Sequence, residues 1–430
     1  MTGFSAQNGT RDVGFCVLLL TLWVLAALSG HWQSPSSDLA PLYLAGHFLA
    51  EGRPELVYSA PPHLVGGTPA EWLETVAAMG QPWKDAFPYI YPPIWAKLLS
   101  YVTPHVGPFA FTRAAMVLQV SLLAGAVVLA ARLARPAGVR PLIWVAVSLA
   151  LIQTSVFSQT ALYFNQPQIT VMFLTLLAFE RLQAGQDRTA GVLLGLAAAI
   201  KILPGVFVLL FFYERRWHAV AAFAATVGAL VALSFLLAGP ELHAEFLEAV
   251  DRVETSLPVV PSNASVQVSV LLLLHKLGVI TLPITGVGAY LSPQVFPAVP
   301  VVALAARIAF LAAALMFAYR LWPLPPRTRR AYGLLALSVL IALFSPVGWL
   351  HYYTISLLLL PQLAFRASPR VAILALVVFG ALTSSTLYIN SVVVFGWDWT
   401  VMNITVSVVW LLVLALIWVL AGQRAPERAD

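Results

Sequence analysis

The chain has 430 residues, of which 60% are hydrophobic and only 10% charged, with a mean hydropathy of +0.86. Soluble domains carry roughly 25% charged residues, so this balance excludes an ordinary soluble protein and predicts an all-α polytopic membrane one. The net charge of +6 does not point to nucleic acid, because the basic residues fall in short stretches between apolar runs, and the single cysteine, Cys16, excludes an intrachain disulfide or a cysteine-built metal site.

The first apolar run, 13–29, follows Arg11. It is longer than the roughly 7–15 residues of a secretory h-region and many runs follow it, so it reads as an uncleaved signal anchor. Residues 30–111 form the first outer loop in this reading. Within it, Ser36-Ser37-Asp38-Leu39-Ala40-Pro41-Leu42-Tyr43 sets an acid at the start of a helix expected over Leu39 to Glu51 and closed by Gly52. Asp38 reads as a helix cap or as a general base kept ionised by the helix N-terminus, and the two are compatible. Phe87-Pro88-Tyr89-Ile90-Tyr91-Pro92-Pro93 then joins proline-fixed extended backbone to tyrosine faces, fit for a substrate wall or for an interfacial aromatic belt.

Apolar runs follow at 112–133, 141–160 and 168–183. Between the last two, Tyr163-Phe164-Asn165-Gln166-Pro167-Gln168 offers amides for sugar hydroxyls and a ring for an apolar sugar face, and equally a helix start. Cytoplasmic loops collect Lys and Arg, which puts Arg11, the Arg132, Arg135 and Arg140 loop, and Arg181 with Arg188 inside. The Glu214-Arg215-Arg216 cluster belongs there too, yet one run, 190–213, joins it to Arg188. An even number of crossings is required, so 190–213 is expected to be re-entrant or a broken pair, interrupted at Lys201 and Pro204. An uncompensated charge at that depth costs roughly 2.5–3.5 kcal/mol, so Lys201 needs an anionic partner, either a lipid phosphate or a nearby acid.

After 219–238 comes the second outer loop, 239–297. Glu241 to Ser256 places Leu242, Phe246, Leu247, Val250 and Val253 on one face and acids on the other, the pattern of a helix lying at the interface. Residues 266–280 are apolar enough to dip or span. Arg307, inside 298–321, raises the same partner question as Lys201. The short runs 331–347 and 352–366 flank Ser345-Pro346-Val347-Gly348-Trp349-Leu350-His351-Tyr352-Tyr353, and helices that short border a cavity or a thinned region. His351 reads as a phosphate ligand or proton-transfer partner, or as a plain interfacial histidine. The last runs are 371–389 and 401–421, and the arginines Arg320, Arg327, Arg329, Arg330, Arg366, Arg370, Arg424 and Arg428 place the C-terminus inside with the N-terminus.

Asn263-Ala264-Ser265, Asn8-Gly9-Thr10 and Asn403-Ile404-Thr405 each fit a glycosylation acceptor, a pattern too loose to decide anything. No repeat, linker or soluble domain divides the chain, so 1–430 reads as one integral-membrane domain. It holds no Asp-x-Asp pair, Walker loop or histidine cluster. Metal-assisted loss of a nucleotide diphosphate therefore has no support, whereas a lipid-monophosphate leaving group needs only protein cations, here Lys201, Arg307 and His351.

These motifs together resemble glycosyltransferase family 87, the polyprenyl-phosphate-dependent enzymes of GT-C fold. The resemblance lies in Asp38 with Tyr43, Ala45-Gly46, Gly52 and Tyr58, in Tyr91-Pro92-Pro93, and in Asn165-Gln166. It continues through Gly191 to Gly195, Lys201 with Pro204, Arg215-Arg216-Trp217, and Ser345-Pro346 with Trp349 and His351. Departures are Pro167 after Asn165-Gln166, Leu350 where many members carry a polar residue, and Tyr352 where many carry a second histidine.

The resemblance implies a GT-C fold of about 10–12 transmembrane or re-entrant helices with helical outer loops. It also implies a mannose- or arabinofuranose-like donor on polyprenyl phosphate, a lipid or glycan acceptor, inversion, and no metal or cofactor. The membrane would be the plasma (inner) membrane and the site would face the periplasm or exterior. Asp38 would be the base and His351 a second catalytic group, with Tyr43, Tyr91, Asn165, Gln166, Lys201, Arg307 and Trp349 binding substrate. A transporter or lipid flippase, the rival reading, predicts midplane charges and repeated halves. An acyltransferase or ligase would put its chemistry in a long late loop.

Overall fold

The computed structural model describes residues 3–61, 67–80, 83, 85–282, 294–366, 368–388, 390 and 399–423. Helix α1 (Gly3–His31) leads into α2 (Ala40–Ala50), α3 (Leu73–Met79) and α4 (Pro93–Ser100) of the first long loop, 30–111. The bundle continues with α5 (Pro108–Ala134), α6 (Pro141–Thr154), α7 (Val156–Tyr163), α8 (Gln168–Gln183), α9 (Asp187–Ile200), α10 (Val208–Tyr213) and α11 (Trp217–Thr255). Helices α12 (Val266–Lys276), α13 (Pro300–Leu321), α14 (Pro326–Phe344), α15 (Thr354–Leu359), α16 (Pro361–Ala364), α17 (Pro369–Leu382) and α18 (Trp399–Gly422) complete it. Proline opens α4, α5, α6, α13, α14, α16 and α17, where its missing N–H is one that a first turn leaves unpaired anyway. Among the described residues, 5 helices are long and apolar enough to cross a membrane, lying within α1, α5, α11, α13 and α18. The chain is an all-α, multi-pass membrane protein.

Ion pairs tie the basic loops together at one end of the bundle. Asp12 pairs with Arg140, Glu180 with Arg132 and Arg181, Asp187 with Arg216, and Glu214 with Arg330. The segment 190–213 enters from that end and returns to it. Its first limb, α9, has 14 residues, about 21 Å at 1.5 Å per residue. Lys201 then takes extended backbone at φ −138°, ψ 136°, and a 3₁₀ turn over Leu203–Phe207 carries Pro204 into α10. Arg216 and Asp187, on the two sides of the excursion, lie 3.5 Å apart, so the broken pair demanded by the charge pattern is what forms.

Helix α9 reaches this position because two glycines let α11 come close. A Cβ on Gly191 would stand 2.2 Å from the Ala219 carbonyl oxygen, and one on Gly195 2.8 Å from Thr226 Cβ. Small residues four apart serve the same purpose in many membrane helix pairs.

The structure differs from expectation in the second outer loop. Helix α11 is continuous through 217–255 except for a kink at Gly239, whose φ of 78° and the following Pro240 turn the chain sharply. The outer arm does not simply lie at an interface. Leu242, Phe246 and Ala249 pack into one apolar cluster with Tyr43, Phe48, Tyr58, Trp72, Trp83 and Tyr89 of the first outer loop, while Leu247 faces outward. The arm runs into a small antiparallel ribbon, β1 (Ser256–Val259) with β2 (Gln294–Pro297), which the apolar pattern does not announce. Helix α12 has 11 residues, too few for the roughly 20 that a spanning helix needs.

Candidate active site

Opposite the ion-paired loops, a cavity of about 260 Å³ opens between the two long loops, 30–111 and 239–297, and the bundle. Asp38, Pro41 and the run Phe87 to Tyr91 form one side. Thr160, Phe164, Gln166 and Lys201 contribute from the bundle, and the second long loop adds Arg252, Ser256 and Ser262. Val347, Trp349, His351 and Tyr352 complete the wall. Stretches hundreds of residues apart in sequence thus share one space.

Asp38 is not the cap of α2. Leu39 takes that position, and no side chain bonds to the helix start. Ser36, at φ 50°, closes the turn by accepting from Leu39 N–H at 3.0 Å and Ala40 N–H at 3.2 Å. Phe87 N–H donates to the Ser37 carbonyl at 3.2 Å and ties this turn to the tyrosine-proline run. The carboxylate is left to face the cavity, where the Gln166 side chain hydrogen-bonds to it. Gln166 Oε1 in turn accepts from Lys201 Nζ at 2.9 Å. A neutral amide therefore stands between the acid and the ammonium.

Lys201 is further held by two rings, its Nζ 5.7 Å from the Tyr91 centroid and 5.5 Å from that of Tyr352. Trp95 Nε1–H donates to the Ala199 carbonyl at 2.6 Å and pins the last turn of α9 to α4. Tyr58 O–H donates to the Tyr91 carbonyl at 2.6 Å, fixing that wall from behind. Burial pushes the Asp38 carboxyl up, to about 6, against the opposing pull of the Lys201 charge and the Gln166 hydrogen bond. A carboxylate held above its ordinary range is well matched to accepting a proton.

The wall carrying Trp349 and His351 is held by Asn263. This fully buried amide donates from Nδ2 to the Pro258 carbonyl at 2.9 Å and the Pro346 carbonyl at 3.0 Å. Its Oδ1 accepts from Gly348 N–H at 2.8 Å. Asn403, also buried, donates to the Asn263 carbonyl at 3.0 Å. Both asparagines that fit a glycosylation pattern are thus interior ties, while the side chain of Asn8 lies outside the described residues. Gly348 is confined: a Cβ there would meet Ser265 N at 2.8 Å. Beyond it, His351 is buried, its ring edge-on to Tyr352, with Nε2 lacking a hydrogen-bond partner among the described residues. Burial, and then the Lys201 charge, hold its pKa well below the ordinary histidine range. Neither ring nitrogen carries a hydrogen bond among the described residues, and the surroundings disfavour a proton on the ring.

Of the residues singled out from sequence, the cavity gathers Asp38, Tyr91, Gln166, Lys201, Trp349 and His351. Tyr43, Asn165 and Arg307 are elsewhere. Tyr43 O–H donates to the Val106 carbonyl at 2.9 Å and supports the outer loop. Asn165, at φ 50°, donates to the Thr112 carbonyl at 3.0 Å and shapes the turn that presents Gln166. Arg307 is exposed on α13, 3.8 Å from an equally exposed Glu254. Arg252, Tyr352 and Asn263 are the residues that sequence reasoning passed over. Arg252 did carry a signal, as the basic residue on a helix arm holding Glu241, Glu245, Glu248, Asp251 and Glu254.

Residues 89–346, more than half of the chain, match the model of glycosyltransferase family 87. That stretch contains Tyr91, Gln166, Lys201 and Arg252, with Asp38 and His351 on its two sides. A polyprenol-phosphate-mannose-dependent alpha-(1-2)-phosphatidylinositol pentamannoside mannosyltransferase of Mycolicibacterium smegmatis is 28% identical over 273 residues. The match covers 62% of this chain and 58% of that protein's length.

Proposed function

The chain belongs to glycosyltransferase family 87, and we propose that it moves one sugar from a polyprenyl-phosphate donor to a hydroxyl of a lipid or glycan acceptor. The observation carrying this reading is the Asp38–Gln166–Lys201 arrangement at the cavity. Asp38 takes the proton of the acceptor hydroxyl as its oxygen bonds to the anomeric carbon. The carbon–oxygen bond to phosphate breaks on the opposite face, and polyprenyl phosphate leaves with the electron pair, inverting the centre. Lys201 balances the carboxylate before the proton arrives. Once Asp38 is neutral, the ammonium is free to favour negative charge on the departing phosphate. The neutral His351 offers a hydrogen bond to a sugar hydroxyl or phosphate oxygen, and Tyr91 and Trp349 present faces for the sugar. This chemistry needs no metal.

The sugar is mannose or a close relative, which the mannose-dependent relative supports. The cavity faces the periplasm or exterior of a plasma membrane, with both termini cytoplasmic, since the arginine-rich loops gather at the opposite end.

The test is turnover of polyprenyl-phosphate mannose by purified protein in membrane-mimetic discs. Asp38→Asn removes the base with little change of shape, and kcat should fall by about 10²–10⁴ while thermal unfolding stays near that of the wild type. A folded Asp38→Asn protein with undiminished kcat would remove Asp38 from the reaction.

A further inference from the structure

The charges lining the cavity do not cancel. Asp38 and Lys201 answer each other through Gln166. His351 is neutral. Arg252 is the remaining charged group of the lining, and it sits on the outer arm of α11, on a different wall from the acid. Its guanidinium makes no hydrogen bond or ion pair within 4 Å among the described residues, though Glu245 feels its charge. The formal charge of the lining is therefore +1, from Asp38 at −1 and Lys201 and Arg252 at +1 each. A phosphodiester linking a sugar to a polyprenol carries a single negative charge, so one cation without an internal partner is the complement it requires. A planar guanidinium also matches two phosphate oxygens at once, which an ammonium does not.

We propose that Arg252 is the ligand of the donor phosphate, holding it on the second-outer-loop wall while Lys201 remains with Asp38. This rests on the polyprenyl-phosphate reading above and adds to it the residue that reads the phosphate. The kink at Gly239 acquires a purpose here. It swings the arm of α11 off the line of its membrane-spanning part and over the cavity, and Leu242, Phe246 and Ala249 lock the arm onto the first outer loop. Arg252 reaches the lining through that bend, and Ser256 and Ser262 line the same cavity.

The test is direct binding of two probes to the full-length protein in membrane-mimetic discs: a sugar-free polyprenyl phosphate and the corresponding polyprenol without phosphate. Wild-type protein should prefer the phosphate probe. Arg252→Gln should bind it about tenfold to a hundredfold more weakly, with polyprenol binding and thermal unfolding unchanged. Arg252→Lys should recover part of the loss, and Arg307→Gln, a cation outside the cavity, should match the wild type. In turnover, Arg252→Gln should raise KM for the donor and leave the acid limb of the pH profile in place. Wild-type-like phosphate affinity in Arg252→Gln overturns the assignment while leaving the donor class standing. A wild-type protein that does not distinguish the two probes overturns the donor class, and the assignment with it.

Discussion

Two buried acid–base assemblies occupy opposite ends of this bundle, and their difference separates a tie from a reactive group. At the ionic end, Arg330 on α14 meets Glu214 directly, Nε donating to both carboxylate oxygens at 3.0 and 3.1 Å. Their side chains are 4% and 3% exposed. At the cavity end, Lys201 and Asp38 are joined only through Gln166, and both line open space. A direct, closed pair leaves both carboxylate oxygens hydrogen-bonded to its own cation. An interposed amide leaves the carboxylate charged but incompletely satisfied, so that it retains an appetite for a proton.

The largest consequence is that removing either acid should damage a different property. Asp38→Asn should lower kcat by about 10²–10⁴ and spare the fold. Glu214→Gln leaves Arg330 buried without its counter-ion, and breaking such a pair costs about 3–5 kcal/mol. Yield of folded protein and thermal stability should drop sharply, while turnover per folded molecule stays near that of the wild type. Measuring both quantities for both variants breaks the contrast if Glu214→Gln turns out stable but slow.

A smaller effect is expected at the ammonium. Lys201→Met removes the stronger of the two influences that draw the Asp38 pKa down. The carboxyl should then hold its proton to higher pH, and the acid limb of kcat/KM should move upward. At neutral pH the variant is slow because less of Asp38 is ionised, so raising the pH recovers part of the activity. A limb that stays in place would mean that Lys201 and Asp38 do not sense each other.

Much of this arrangement was legible in the sequence because membranes make charge expensive. Two arginine clusters expected on one side of the membrane and joined by one apolar run called for the excursion at 190–213, and Lys201 in its middle called for an anionic partner, a lipid phosphate or an acid. The partner, Asp38, lies more than 160 residues away, and separation of that kind leaves no local pattern. Arg252 was hidden for another reason. Hydrophobic periodicity shows which face of an arm is apolar, yet the kink at Gly239 decides where the arm points, and a glycine-proline step reads equally as a helix end. Asn263 was hidden by a short motif whose chemistry presumes exposure, whereas its amide is wholly committed inside. Arg307 erred the other way: an arginine in an apolar run looked functional, and it is a surface group paired near a helix end.

The smallest effect is the sharpest on Gln166 itself. From sequence it reads as a sugar-binding amide, whereas in the structure its oxygen is occupied by Lys201 and its N–H by Asp38. Gln166→Leu keeps the bulk that separates the two charges and removes the weaker of the two influences lowering the Asp38 pKa. The acid limb should rise, by less than in Lys201→Met, with KM for the donor little changed. A raised KM with a stationary limb would instead make Gln166 a substrate ligand. A limb that falls would mean that Lys201 has closed directly on Asp38, turning the cavity assembly into a copy of the Arg330–Glu214 tie, and kcat should then fall with it because the acid has lost its need for a proton.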